Sequence, residues 1–546
     1  MIDMVMGSVA GRGLLESRSA WNVMADALRP WCAGMSACEG TADLALGAVG
    51  GRATQEPTAL LARSPDRSLL LVASVRIDNQ AEVVRALGAE AAAPTSAALL
   101  LEAWQRWGSG LLDRLAGDGA IAIADVRSRE LWLMRLPLSL RSLFFRAGPD
   151  ATLFASHPAA LFAVPGTPKA INWNHAGLRA AQYSLIGRTT MFAGIERVRP
   201  GEVLHVRDGE VRTVRLWAPQ RSRVRFRSLE EAGEALRSTF DEAVRSQLAR
   251  ENGRVAAYLS SGRDSSAVVT SAAAQWNADE PLLAFTGAPR AGFSDPSGPA
   301  WQADESEVAS ATAAACPSVA HRVVRPRPGV ALVWLRKLNR FHHQPITNFS
   351  NTHWWVDIND AAQAAGATIM LSGAAGNFTI SAGPMEHLSD LATERGWRRA
   401  VAAAIRSGEP LRAARALLAP RLSPGADHLL RRLVGRAVAP PEINVLREPY
   451  RHIAVEALSR DYADLRPDTS GFALRTARLL SDDSSDPFFP AIWGMEQRDP
   501  TADRRVVDCC FSMPAEYLIP RRGDPRPLYR AAFGSRVPEA VVLGRP

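Results

Sequence analysis

Hydrophobic positions along this chain come in two rhythms, and the change from one to the other divides it. Up to about residue 218 the apolar runs are short and strand-like. Residues 68–75 read as a buried strand, and 115–125 with 130–135 as two strands paired around a polar turn. Residues 97–107 interrupt them as a helix with Leu100, Leu101 and Trp104 on one face. After that, longer periodic stretches alternate with single apolar runs. Ser228-Leu229-Glu230-Glu231 is a capping box. It opens a helix that carries Leu236, Phe240, Val244 and Leu248 on one face and ends near Asn252-Gly253. Strands are expected at 255–259, 281–287, 320–324 and 367–373, with helices at 330–341 and 352–365. From about Asp390 the pattern is helical, interrupted at Pro440-Pro441. Alternation of this kind builds an open α/β sheet, in which ligands gather at the strand C-termini.

One junction carries most of the chemistry. The strand ending Ala257-Tyr258-Leu259 runs into Ser260-Ser261-Gly262-Arg263-Asp264-Ser265-Ser266, and an Ala/Val-rich helix is expected over 265–274 with Ser265 near its N-cap. A strand, a turn of small residues and a helix N-terminus aim backbone amides and a positive dipole end at one point, which suits pyrophosphate. Asp264 at the mouth would repel a bare phosphate, so it implies a bridging cation, most simply Mg²⁺. From the loop alone, a serine-rich turn in an ordinary α/β sheet reads equally well. Asp304-Glu305-Ser306-Glu307 opens a further helix, where acids ordinarily cap and complement the dipole. The loop 288–302 reads as a mobile cover. His342-His343-Gln344-Pro345 reads as a polar corner, because adjacent histidines diverge and no third metal ligand is evident.

Composition narrows the class. A chain of 546 residues, 47% hydrophobic and 22% charged, is globular and long enough for several cores. No apolar run approaches the ~20 residues of a membrane span, and residues 1–6 lack the pattern of a signal peptide. Cys32, Cys38, Cys316, Cys509 and Cys510 form no C-x-x-C pair, so a reduced, cytoplasmic setting is expected. The net charge of +8 is nearly all arginine, Lys169 and Lys337 being the only lysines. No nucleic-acid motif accompanies it, and a nucleotide or an acidic peptide suits the charge equally well. Without a Gly-Lys-Ser/Thr run, a Walker-type loop is excluded.

The run 260–265 resembles the Ser-Gly-Gly-x-Asp-Ser loop of the asparagine-synthetase-like ATP pyrophosphatases, with Ser261 in place of the first Gly. The resemblance continues in the N-terminal half at Gly117-Asp118-Gly119-Ala120, at 140–145, at Phe154-Ala155-Ser156-His157 and at 191–202. It continues in the C-terminal half at Ser372-Gly373, at 494–503 and at 525–530. It implies an Ntn-hydrolase-like αββα amidotransferase domain over 1–218. Over 219–546 it implies a doubly wound, parallel-sheet, HUP-like ATP-pyrophosphatase synthetase domain with helical additions. It also implies ATP and Mg²⁺. The nucleotide would lie near Leu259, Ser260, Ser261, Gly262, Asp264, Ser265, Ser266, Phe285, Ser372 and Gly373. The metal would lie near Asp264 and Asn377, and Asp264, Arg526, Asp304 and Glu305 would act in the chemistry.

Departures from the pattern carry as much as the matches. Glutamine-hydrolysing relatives need a cysteine at the mature N-terminus, whereas Ile2 and Asp3 stand here. The first domain therefore reads as a retired amidotransferase kept as scaffold. Ala374 replaces the Glu or Tyr of the usual catalytic dyad, Asn377 replaces the second metal-binding Asp, and Arg526 stands where relatives carry Lys. The wording Gly376-Asn377-Phe378-Thr379-Ile380-Ser381 looks like that of the macrolactam synthetases that close lasso peptides. Relatives usually continue past Gly544-Arg545-Pro546, so a cropped C-terminus is expected. The resemblance implies adenylation of an Asp or Glu side chain in a linear core peptide, followed by ring closure on its N-terminal amine. A leader peptidase and a leader-recognition protein are the implied partners. A β-lactam synthetase, an asparagine synthetase, an inactive scaffold and a tRNA-modifying pyrophosphatase are the competing readings.

Overall fold

A computed structural model describes residues 3–406 and 490–544, apart from 11–16, 31, 33, 52–59, 89–94, 181–186, 221–224, 249–253, 278, 295–302, 328–329, 343–348, 384–386 and 522; between 407 and 489 it describes only isolated positions. The expectations at Asn252-Gly253, His343-Gln344-Pro345, Pro440-Pro441 and the second half of the 288–302 loop lie outside the described residues.

The first half contains β1 (Met4–Ala10), β2 (Ser36–Gly40), β3 (Leu44–Val49), β4 (Leu61–Arg63), β5 (Leu69–Ile77), β6 (Gly117–Asp125), β7 (Leu131–Arg135), β8 (Phe144–Ala147), β9 (Ala151–Ala155), β10 (Glu196–Arg197), β11 (Glu202–Arg207) and β12 (Glu210–Leu216). Its helices are α1 (Ser17–Leu28), α2 (Gln80–Leu87), α3 (Ser96–Trp107), α4 (Pro158–Ala163) and α5 (Trp173–Ala180). The strands form two six-stranded sheets, ordered β10-β8-β9-β1-β3-β2 and β12-β11-β7-β6-β5-β4, with antiparallel neighbours.

Period-two alternation sets the layers. On β1, Met4 and Met6 face α1 and α4, while Val5 and Val9 face the other sheet. On β5, Leu70 and Val72 meet that inner core, while Leu71 and Ala73 pack outward on α3. The product is the helix–sheet–sheet–helix stack expected from the sequence.

The second half contains α6 (Leu229–Leu248), β13 (Arg254–Tyr258), α7 (Arg263–Ala273), β14 (Leu282–Gly287), α8 (Ser306–Ala314), β15 (Val319–Val324), α9 (Val330–His342), α10 (Phe349–Ala364), β16 (Ala367–Leu371), α11 (Leu388–Arg395), α12 (Trp397–Arg406) and β17 (Glu496–Arg498). Half of the capping box forms, the Glu231 amide donating to Ser228 Oγ at 3.2 Å, while the Glu231 carboxylate accepts the Arg227 amide one residue earlier than expected. All five strands are parallel, ordered β15-β14-β13-β16-β17. Val255 and Ala257 face α6 and α7, and Ala256 faces the opposite side with Val356 and Ile358 of α10. Helices thus cover both faces, the doubly wound arrangement.

Two expectations are corrected. The segment after Asp390 is not wholly helical, because Glu496–Arg498 pairs with Ile369–Leu371 as a fifth strand. Glu-Gln-Arg carries no apolar alternation, so only tertiary pairing makes it a strand. The helix after the loop begins at Arg263 with Gly262 at its N-cap, two residues earlier than the serine cap suggested.

The largest apolar cluster does not stop between the halves. It joins Ile121, Ile123 and Met134 of the second sheet to α3, to α6 and to Val268 and Ala272 of α7. Among the described residues, no helix is long and apolar enough to cross a membrane.

Candidate active site

β13 delivers the loop to the C-terminal edge of the parallel sheet. The Leu259 amide donates to the Phe285 carbonyl (2.9 Å), and the Thr286 hydroxyl donates to the Leu259 carbonyl (2.7 Å). Having spent its proton there, Thr286 accepts from His321 Nε2 (2.8 Å), which leaves His321 Nδ1 to accept from the Ser310 hydroxyl (3.4 Å). Burial lowers the His321 pKa, consistent with this neutral tautomer.

The loop hydroxyls bind one another. The Ser260 and Gly262 amides donate to Ser265 Oγ and Ser260 Oγ, each at 3.0 Å, and the two hydroxyl oxygens lie 2.8 Å apart. Gly262 has no side chain with which to cap α7, so the first-turn amides of the helix stay open to an anion. The Ser261 amide donates to Glu305 Oε2 (3.1 Å), so a carboxylate rests on the cradle. Asp304 acts otherwise: its Oδ1 accepts from the Ser306 hydroxyl and from the Ser306 amide (3.1 Å), and these bonds, with the paired Arg325, lower its pKa. Of the two acids singled out from the sequence, Glu305 reaches the loop and Asp304 is bound to Ser306, the first residue of α8.

Asp264 does not stand at the mouth. It lies in the first turn of α7 beneath the 373–381 segment. A Cβ on Gly376 would come within 2.1 Å of Asp264 Cγ, and one on Gly373 within 3.1 Å of Asp264 Cβ. Asp264 Oδ1 has no hydrogen-bond partner and no contact with solvent. Burial raises its pKa to about 7; a hydrogen bond from Ser381 opposes this, the nearby Asp499 adds to it, and Arg263 and Arg526 subtract. Arg526 approaches from the start of the helix Pro527–Phe533, donating Nε to the Ser381 carbonyl (3.3 Å). Ser372 is buried and accepts from Gln497 Nε2 (3.1 Å), while Asn377 is exposed in the turn Gly376–Phe378.

Phe285 and Ser266 are fully buried; Phe285 belongs to the core on the α10 side and meets the loop through its carbonyl, and Ser266 Oγ has no hydrogen-bond partner. Asp499, by contrast, was not singled out from the sequence. Its Oδ2 accepts the Ala375 amide (3.0 Å) and its Oδ1 the Thr501 amide (2.9 Å), and burial raises its pKa against those bonds. Its only sequence signal was an acid inside Gln497-Arg498-Asp499-Pro500. Tyr529 was also missed; its hydroxyl donates to the Arg263 carbonyl (2.7 Å), while Arg263 Nε and Nη2 donate to the Val542 carbonyl (3.1 and 2.9 Å).

The donor set fits a hard cation held jointly with phosphate. An anionic oxygen shut from water without a donor calls for positive charge, and Mg²⁺ commonly takes one or two carboxylates plus phosphate oxygens. Among the described residues no group of three His, Cys, Asp or Glu could hold a metal alone.

The profile described as asparagine synthase matches residues 235–545, and that of a glutamine amidotransferase domain matches 49–217. An amidase (chry2) of Gibberella zeae is 28% identical over 174 residues, 31% of this chain and 25% of that protein. Asparagine synthetase [glutamine-hydrolyzing] 2 of Bacillus subtilis is 25% identical over 165 residues, 28% of this chain and 22% of that protein. The chain thus spans about a quarter of the length of these relatives. Among solved structures, a glutamine phosphoribosylpyrophosphate amidotransferase of B. subtilis aligns over 47% of this chain and 60% of its own, with 17% identity and a TM-score of 0.28.

Proposed function

Since the chain belongs to the asparagine synthase family, whose members are ATP-dependent amide ligases, we propose that it activates a carboxylate with ATP and closes a lasso-peptide macrolactam. The observation that carries the activation step is the Asp264 carboxyl, seated under open helix amides with one oxygen unpartnered. ATP would place its phosphates on the 260–265 turn, and Mg²⁺, held by Asp264 with Asn377 in reach, would supply charge neutralisation there. The side-chain carboxylate of an Asp or Glu in the peptide attacks the α-phosphorus, pyrophosphate leaves, and Arg526 braces the departing charge. The peptide's α-amine then attacks the acyl-adenylate, giving an isopeptide bond and AMP.

A dedicated base is not demanded. An α-amine titrates near ~8, so a useful fraction is unprotonated at neutral pH, and a pre-folded peptide supplies proximity worth about 7–11 kcal/mol. His321 is committed to Thr286 and Ser310 and Asp304 to Ser306, which leaves Glu305 as the acid facing the loop. The wording of residues 376–381 and the methyl of Ala374, which accepts no proton, favour ring closure over asparagine or β-lactam formation. A linear core peptide, a leader peptidase and a leader-recognition protein are the partners this reading implies.

The test is mass spectrometry of candidate peptides carrying a free N-terminal amine and an internal acid. Loss of one water, coupled to conversion of ATP to AMP, is expected, and Asp264→Asn should reduce it at least ~100-fold, within the range for removing a transition-state charge partner. Peptide-independent ATP turnover, or none with any such peptide, would count against ring closure.

A further inference from the structure

A charged cluster joins the two halves at Glu496. Arg76 Nη1, from the end of β5, donates to Glu496 Oε1 at 2.9 Å, and Arg141 Nη2 donates to the same oxygen at 3.2 Å. Arg498 Nη2 takes Oε2 at 2.9 Å. Asp78 holds Arg76 (2.8 Å) and Asp118 holds Arg141 (3.4 Å), so the three cations meet three carboxylates. Burial alone would raise the Glu496 pKa, but Arg76, Arg498 and Arg141 outweigh it and hold it well below the usual range.

Glu496 is also the first residue of β17. Three residues on, just past the end of the strand, stands Asp499, about 10 Å away at strand rise. Between them the Arg498 carbonyl accepts the Ser372 amide (2.9 Å). Asp499 then holds the Ala375 amide, next to the glycine that lies on Asp264.

We propose that Arg76 and Arg141 of the N-terminal half are positioning residues for the synthetase site. Through Glu496 they hold β17, and β17 holds the Asp499–Ala375 contact that seats Gly376 on Asp264. This rests on the amide-ligase reading of that site, and it gives the N-terminal half a task there. Ordering of this kind suits a strand that is too short and too polar to hold its register by apolar packing.

The experiment compares Arg141→Met and Arg141→Lys with Arg199→Met, which removes an arginine from another buried carboxylate, Glu202, away from β17. Hydrogen exchange of the 372–376 backbone and pyrophosphate release are both measured. Arg141→Met should speed exchange at Ser372 and Ala375 and lower kcat by about 10- to 100-fold, the scale of an ångström's misplacement. Arg141→Lys should recover part of both, and Arg199→Met should change neither by more than about twofold. If Arg141→Met does not fold, Arg141→Lys alone carries the exchange comparison. Unchanged exchange in the Arg141 variants, or an equal loss in Arg199→Met, would overturn the proposal. A wild-type protein that releases no pyrophosphate would sink the ligase reading instead, because the exchange comparison does not depend on turnover.

Discussion

A methyl group on Gly376 would have to share space with the carboxyl carbon of Asp264, and much of the site's character follows from that contact. Gly376→Ala should cost about 1–3 kcal/mol, the usual price of overpacking, and should reduce pyrophosphate release; denaturant unfolding and a turnover assay read the two effects. The pH behaviour of Asp264 has a definite sign. Its pKa is about 7 in the fold and ~3.9 in an unfolded chain. Between pH 4 and 7 the folded state keeps a proton that the unfolded state has released, so stability falls as pH rises through that window. Asp264→Asn should remove this slope and melt a few degrees above wild type at pH 8 in the absence of nucleotide, as scanning calorimetry from pH 5 to 8 would record. At this scale the sequence was only partly legible. Asp264 and Glu305 could be picked out by residue type and motif, because charge at a helix start is visible in one dimension. Asp499 could not, since its importance comes from the Ala375 amide 124 positions away.

Elements were easier to read than their junctions. The apolar strands β13, β14 and β16 lie within a residue or two of the hydrophobic runs that announced them, as parallel strands with mostly buried residues should. β17 was lost to a polar tripeptide, and α7 starts early because Gly262 can enter a helix without a side-chain cap. His321 acts on a junction: with Thr286 it fixes the last carbonyl before the 260–265 loop. Thr286→Val keeps the shape and removes the donor. It should leave the Leu259 carbonyl unsatisfied and lower stability by about 1–3 kcal/mol, read as a shifted urea midpoint with unchanged slope.

Across the whole molecule, described residues of the two halves meet in apolar clusters, one through α3 and α6 and another that takes in Phe341, and in the ion cluster at Glu496. The layered architecture was legible because period-two and helical patterns survive in the sequence, but the join was not, since Arg76, Arg141 and Glu496 are far apart along the chain. Chemically the first half is quiet in this reading. Burial pushes the Cys32 thiol up to about 12 and the Cys38 thiol up to about 11, so neither is a thiolate at neutral pH. Incubation with glutamine should release glutamate at no more than the background rate, measured by a coupled dehydrogenase assay; a rate clearly above it would restore the amidotransferase role.

The bonds from Arg263 to the Val542 carbonyl make the segment around Gly544 a rear support for the loop. Gly544 lies against that guanidinium so closely that a Cβ there would come within 2.4 Å of Nη2. A side chain added at Gly544 would therefore press on the arginine that starts α7, so a substitution remote in sequence would act on the loop from behind.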